Sequence, residues 1–189
     1  MAVFRSPSTD GFELLTTFGG RARIGTLVSD FYAGPTSRFD LGNVLVVNLL
    51  TGTLEGVTDL TLFGGANALA IEAASGVWEI VQASAAELIA PGRYRLTRLL
   101  RGQRGTEGAM GNPAPIGARV AVLGDALASL PIAEVDLGLP WNWRIGPASR
   151  SVNDETYVAK SFTPVGAGLR PFSVAHVEQP WRGRARPAI

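Results

Sequence analysis

Short apolar runs broken by glycine and proline along the whole chain are the feature that most limits its fold. Of 189 residues, 23 are Gly and 12 are Pro. Glycine supplies the positive-φ corners of tight turns and proline the fixed-φ ones. Scattered between apolar runs, they suit many short strands joined by turns rather than long helices. The expected class is mainly β: an antiparallel β-sandwich or barrel-like core with long loops and an irregular C-terminal extension.

Hydrophobic residues make up 46% of the chain and charged residues 17%, which is the balance of a chain that folds. With 17 basic against 16 acidic residues the net charge is +1, too small to draw in nucleic acid or an anionic membrane from a distance. Almost all the positive charge is arginine, which favours fixed, forked contacts. The absence of cysteine removes disulfides and thiolate metal sites, and the single histidine, His176, cannot hold zinc alone. No cofactor or metal is expected. No window reaches the roughly 18 apolar residues needed for a membrane-spanning segment, and the start MAVFRSPSTD has no signal peptide, so synthesis in the bacterial cytoplasm is expected.

The chain divides into three stretches. Residues 1–25 read as an N-terminal arm or the end of a preceding domain, 26–130 as a β-rich core domain, and 131–189 as a β/irregular extension ending in a linker. Residues 24–31 supply a short strand. The run 43–50 (NVLVVNLL) is apolar at nearly every position and reads as a strand buried on both faces. Residues 53–63 read as bulged strand or irregular structure in preference to a short helix. Residues 67–73 and 77–83 flank Ser75-Gly76 and read as a hairpin, with Trp78 and Ile80 on one face and Glu79 and Val81 on the other. Residues 84–90 are Ala-rich enough for a helical turn before Pro91-Gly92. A strand then covers 94–100, with Tyr94, Leu96 and Arg98 on one face. The glycine-rich stretch 101–111 follows as a shaped loop, and 118–123 as another strand. After 131 the only alternating stretch is 157–162.

Four features are candidates for chemistry. In the loop, Arg101, Gln103, Arg104 and Glu107 lie among glycines and could cradle an anion with guanidinium forks and backbone N–H groups. The loop lacks the Gly-Lys-Ser/Thr ending and the following helix of a phosphate loop, so arginines paired to nearby carboxylates or carbonyls are the favoured reading. Glu72, Glu79, Glu87, Glu107, Asp125, Glu134 and Asp136 could supply a glycosidase-type carboxylate pair, but such acids are more often solvated or paired to arginine. His176 with Ser161 or Ser173 could make a nucleophile and base, without the Gly-x-Ser-x-Gly elbow that would support them. Trp141, Trp143 and Trp181 could form a stacking platform for sugars or a protein; packing of the C-terminal segment onto the core is the favoured role.

The run Arg93-Tyr94-Arg95-Leu96-Thr97-Arg98-Leu99-Leu100-Arg101-Gly102-Gln103-Arg104-Gly105-Thr106-Glu107 resembles the LLRGQ-x-GTE signature of phage tail-tip hub proteins. Gly34-Pro35-Thr36-Ser37-Arg38-Phe39-Asp40, Gly64-Gly65-Ala66-Asn67-Ala68-Leu69-Ala70 and Trp78-Glu79-Ile80-Val81-Gln82 are similar to the C-terminal region of the large baseplate hub protein of gene transfer agents, the host-specificity or megatron protein. Leu137-Gly138-Leu139-Pro140-Trp141-Asn142-Trp143-Arg144 and Val177-Glu178-Gln179-Pro180-Trp181 extend the resemblance. It implies a structural, non-enzymatic component of the virion tail tip, with other baseplate proteins as partners and a homotrimeric assembly. The family's glycosidase-related portion has no counterpart here, so no catalytic residue is carried over. Two further readings compete with assembly: recognition of a host-surface glycan or receptor through Trp141 and Trp143, and wall hydrolysis by a carboxylate pair.

Overall fold

The computed structural model describes residues 1–124, 127, 129–166 and 169. Among these the strands are β1 (Ala2–Ser6), β2 (Glu13–Thr17), β3 (Ile24–Leu27), β4 (Leu45–Leu49), β5 (Ala68–Ala74), β6 (Val77–Ala90), β7 (Arg93–Leu100), β8 (Arg119–Leu123), β9 (Trp141–Gly146) and β10 (Val158–Phe162). One short helix, α1 (Asp59–Phe63), lies between β4 and β5.

Strands β3 to β8 close an antiparallel barrel in the order β3-β4-β7-β6-β5-β8, so the barrel alternative of the expected all-β class is the one realised. Closure pairs the edges that an open sheet would leave free. Its interior is filled by alternate residues of each wall, among them Leu45, Val47, Leu69, Ile71, Val81 and Leu96, none more than 1% exposed. The hairpin across Ser75-Gly76 forms as β5 and β6, with Gly76 at φ +76° in the turn.

Four local expectations are corrected. Residues 43–50 are not buried on both faces: in β4, Leu45, Val47 and Leu49 point inward while Val46 and Asn48 are only partly covered, because a barrel wall has one packed face. Residues 59–63 are helical, capped by Thr58, whose hydroxyl accepts from the Thr61 N–H, with Asp59 in the first turn where a negative charge is favoured. Residues 84–90 continue β6, because pairing with β7 from Gln82 to Ala90 outweighs the helix propensity of alanine.

The fourth correction is at Arg98. Tyr94 and Leu96 point inward, but Arg98 adopts φ +56°, and the next inward residue is Leu99, which is fully buried. Opposite it, β6 changes phase between Ala83 and Ala86, so both strands bend together. Arg98 therefore turns away from the core, and the residues after it inherit the new phase.

A second sheet has the order β10-β9-β1-β2, all antiparallel. Residues of the expected N-terminal arm thus form strands, and β1 pairs with β9 of the expected C-terminal extension, Arg5 opposite Trp143 and Val3 opposite Ile145. Val3 and Trp143 are buried on one side of this sheet, at 2% and 4% exposure. On the other side Phe4 meets Tyr157 edge-on, with ring centroids 5.8 Å apart.

Candidate functional site

The phase change at Arg98 decides what the following loop does. Leu99 faces the barrel core, and Arg101, two residues on, also points inward, where it is 1% exposed. It meets Glu79, an inward residue of β6, through Nε to Oε1 at 2.7 Å and Nη2 to Oε2 at 3.0 Å. Its Nη1 donates to Asp40 Oδ2 at 3.1 Å and to the Tyr32 carbonyl at 2.9 Å. The guanidinium also lies 3.9 Å from the centroid of the Phe31 ring. Arg101 therefore ties the irregular segment between β3 and β4 to β6 and β7. A Cβ at Gly34 would sit 2.8 Å from Arg101 Nη1, so this segment can approach only as glycine there.

Two carboxylates around one cation leave an excess negative charge, which backbone donors offset. The Gly102 N–H donates to Glu79 Oε1 at 3.2 Å, and the Gly42 and Asn43 N–H groups donate to Asp40 Oδ1 at 3.1 and 3.0 Å. Burial of Asp40 works to raise its pKa. Hydrogen bonds from the Asn43 backbone and side chain, from Arg101 and from the Gly42 N–H outweigh it and hold the carboxyl below the ordinary 3.8.

The remaining loop residues serve the loop itself. Gln103 Nε2 donates to the Arg101 carbonyl at 2.9 Å. The Thr106 hydroxyl donates to the Gln103 carbonyl at 2.7 Å and accepts from the Ile80 N–H at 2.9 Å, fastening the loop to β6. Glu107 packs its backbone against Gly102, where a Cβ would meet the Glu107 Cα at 2.8 Å. Arg104 sits exposed at φ +57°. The glycines and arginines thus build an internally bonded loop, and the Gly102 N–H that an anion would need is engaged by Glu79.

Trp141 and Trp143 lie on β9, in the other sheet, and form no site with the loop. Trp143 is buried, and the Arg5 guanidinium covers Trp141 at 4.4 Å from the ring centroid while bonding Asp136 at 2.7 Å. Both indole N–H groups are buried without a hydrogen-bond partner among the described residues. On the opposite side of this sheet an open cleft of about 250 Å³ is lined by Thr9, Phe12, Asn142, Arg144 and Ser161. Arg144 lies 4.5 Å over the Phe12 ring and is bonded to the Val152 carbonyl and to Asn153, so its charge is already engaged.

The acidic candidates pair with arginine: Glu72 with Arg119, Glu79 with Arg101, Glu87 with Arg95 and Asp136 with Arg5. Glu134 is exposed. His176, Ser173, Trp181 and Asp125 lie outside the described residues. Two participants escaped the sequence reading. Asp40 opens Asp-Leu-Gly-Asn, the pattern of a side chain that caps the N–H two residues on. The Arg98–Asp59 pair, in which Arg98 also lies 3.9 Å over the Phe39 ring, was hidden by the assumption of unbroken alternation in β7.

The family described as Rcc01698-like, C-terminal, has a model that matches residues 22–121. The chain belongs to this family. No curated protein matches it. The matched Rcc01698-like stretch runs from just before β3 into β8, so it is the barrel with its Arg101 cluster, while the strands of the second sheet lie outside it.

Proposed function

We propose that this chain is a structural component of a phage or gene-transfer-agent tail tip, which packs against other baseplate hub proteins and performs no catalysis itself. The observation that carries the proposal is the surface at α1. Leu62 is fully buried and anchors the helix, while Leu60 and Phe63 are 84% and 66% exposed. The Phe63 ring stands 6.1 Å from that of Phe39. Apolar side chains held in water by a capped, anchored turn are the kind of surface another protein covers. Membership of the Rcc01698-like family and the LLRGQRGTE run that leads into the Arg101 loop support the same reading. So does the engagement of Arg101, Glu79 and Asp40 with one another, which leaves them bonded inward and away from any substrate.

The test is complex formation with the adjoining hub proteins, followed by light scattering. The chain is expected to form a stable complex, and Leu60→Asp with Phe63→Asp to abolish it while leaving the circular dichroism spectrum unchanged. A chain that binds none of these partners, or a double variant that binds as well as the original, would defeat the proposal.

A further inference from the structure

We infer that the four-stranded sheet continues between copies of this chain, β10 of one copy pairing antiparallel with β2 of the next. Among the described residues, β10 pairs only with β9 and β2 only with β1, so each leaves one edge of backbone N–H and C=O groups without a strand. All five residues of β10 are exposed. Val158, Phe162 and Leu14 of β2 are 56%, 52% and 57% exposed, an apolar content that edge strands left in water avoid.

The geometry selects the partner. Each neighbour in the sheet is antiparallel, so β10 and β1 run one way and β9 and β2 the other. A second copy in the same orientation therefore presents its β10 antiparallel to β2, and the sheet extends head to tail. Residues opposite one another share a face. Lys160 is opposite Trp143, Trp143 opposite Arg5, and Arg5 opposite Glu13, so Lys160 and Glu13 share a face at the two edges. Setting Glu13 against Lys160 of the neighbouring copy places opposite charges together, with Leu14 against Ala159. Pairing β10 with β10 of another copy in the corresponding centred register would set Lys160 against itself, which is unfavourable. The interface stands whether or not the tail-tip reading holds, since it requires only this chain.

The experiment is light scattering of the purified full chain over a range of concentration, for the original sequence, Lys160→Glu, Glu13→Lys and the double exchange. Self-association of the original is expected, weakened by about tenfold or more in each single reversal and recovered in the double exchange. Circular dichroism of each variant confirms that the fold is kept. An original chain that stays monomeric overturns the inference, as does association that survives Lys160→Glu. Association lost in the singles and not recovered in the exchange also overturns it, because the two edges are then not opposite each other.

Discussion

Arg101 and Glu79 share two parallel hydrogen bonds at a place where both side chains are almost wholly cut off from water, 0% and 1% exposed. Removing two charges from water is costly, and the pair stands only because Asp40, the Tyr32 carbonyl and the Gly102 N–H satisfy what the two leave over. Its value to the barrel is in fixing one arrangement of the segment between β3 and β4.

Breaking one side of the pair should be severe. Arg101→Met or Glu79→Leu is expected to lower the unfolding free energy by about 3–5 kcal/mol, because the first leaves two buried carboxylates without their cation and the second leaves the Arg101 Nε and Nη2 groups buried and unbonded. Arg101→Lys should also be strongly destabilising, since an ammonium cannot reproduce the fork. Urea unfolding measures all three, and an unchanged midpoint for Arg101→Lys would contradict the role of the fork.

Acid should act through carboxylates whose folded pKa is depressed. Such a group contributes stability that is complete above its unfolded pKa and is lost as pH falls through the folded value. For Glu72, lowered from 4.5 to about 2 by the Arg119 hydrogen bond and then by the Gly76 N–H, the window lies between those values. Asp40 adds a loss that begins below about 4. Unfolding curves across this range should flatten in Asp40→Asn and in Glu72→Gln. Added salt should reduce the Glu72 part, whose partner Arg119 is exposed, and leave the buried Asp40 part largely intact.

At Arg98 the side chain and the backbone make opposite demands. Arg98→Ala loses the fork to Asp59 and the stack on Phe39 and keeps the positive φ. Arg98→Gly loses the same contacts but relieves the backbone. The glycine variant should therefore have the higher melting temperature of the two, and the reverse order would mean that the bend at Arg98 is not maintained.

Trp143 separates packing from hydrogen bonding. Trp143→Ala is expected to cost about 3–5 kcal/mol as a large buried side chain. Trp143→Phe should cost much less, because the indole N–H it removes has no partner among the described residues. Thermal melts of the two variants decide this.

The all-β class, the hairpin at Ser75-Gly76 and the shared face of Glu79 and Val81 were legible in the sequence because turn chemistry and period-two alternation are local signals; which face turns inward was not. The pairing of arginines with carboxylates was foreseen as a kind of contact but not by partner, since Arg101 reaches Asp40 and Glu79 across distant strands. Alternation misled at Arg98, where one residue of positive φ shifts the phase. The Arg spacing of that strand, 93 and 95 followed by 98, carries the trace of it. The joining of residues near the start to β9 was not legible, because neither segment carries a local mark of the other.

That joining sets an order of events. Arg5 is made before every strand of the barrel and its partner Trp143 only after them. Contacts so far apart in sequence close slowly, and domains formed from continuous stretches fold first. The barrel can therefore complete itself inside the growing chain while β1 waits, and the second sheet is assembled last, as the step that gathers the two flanks of the barrel into one piece.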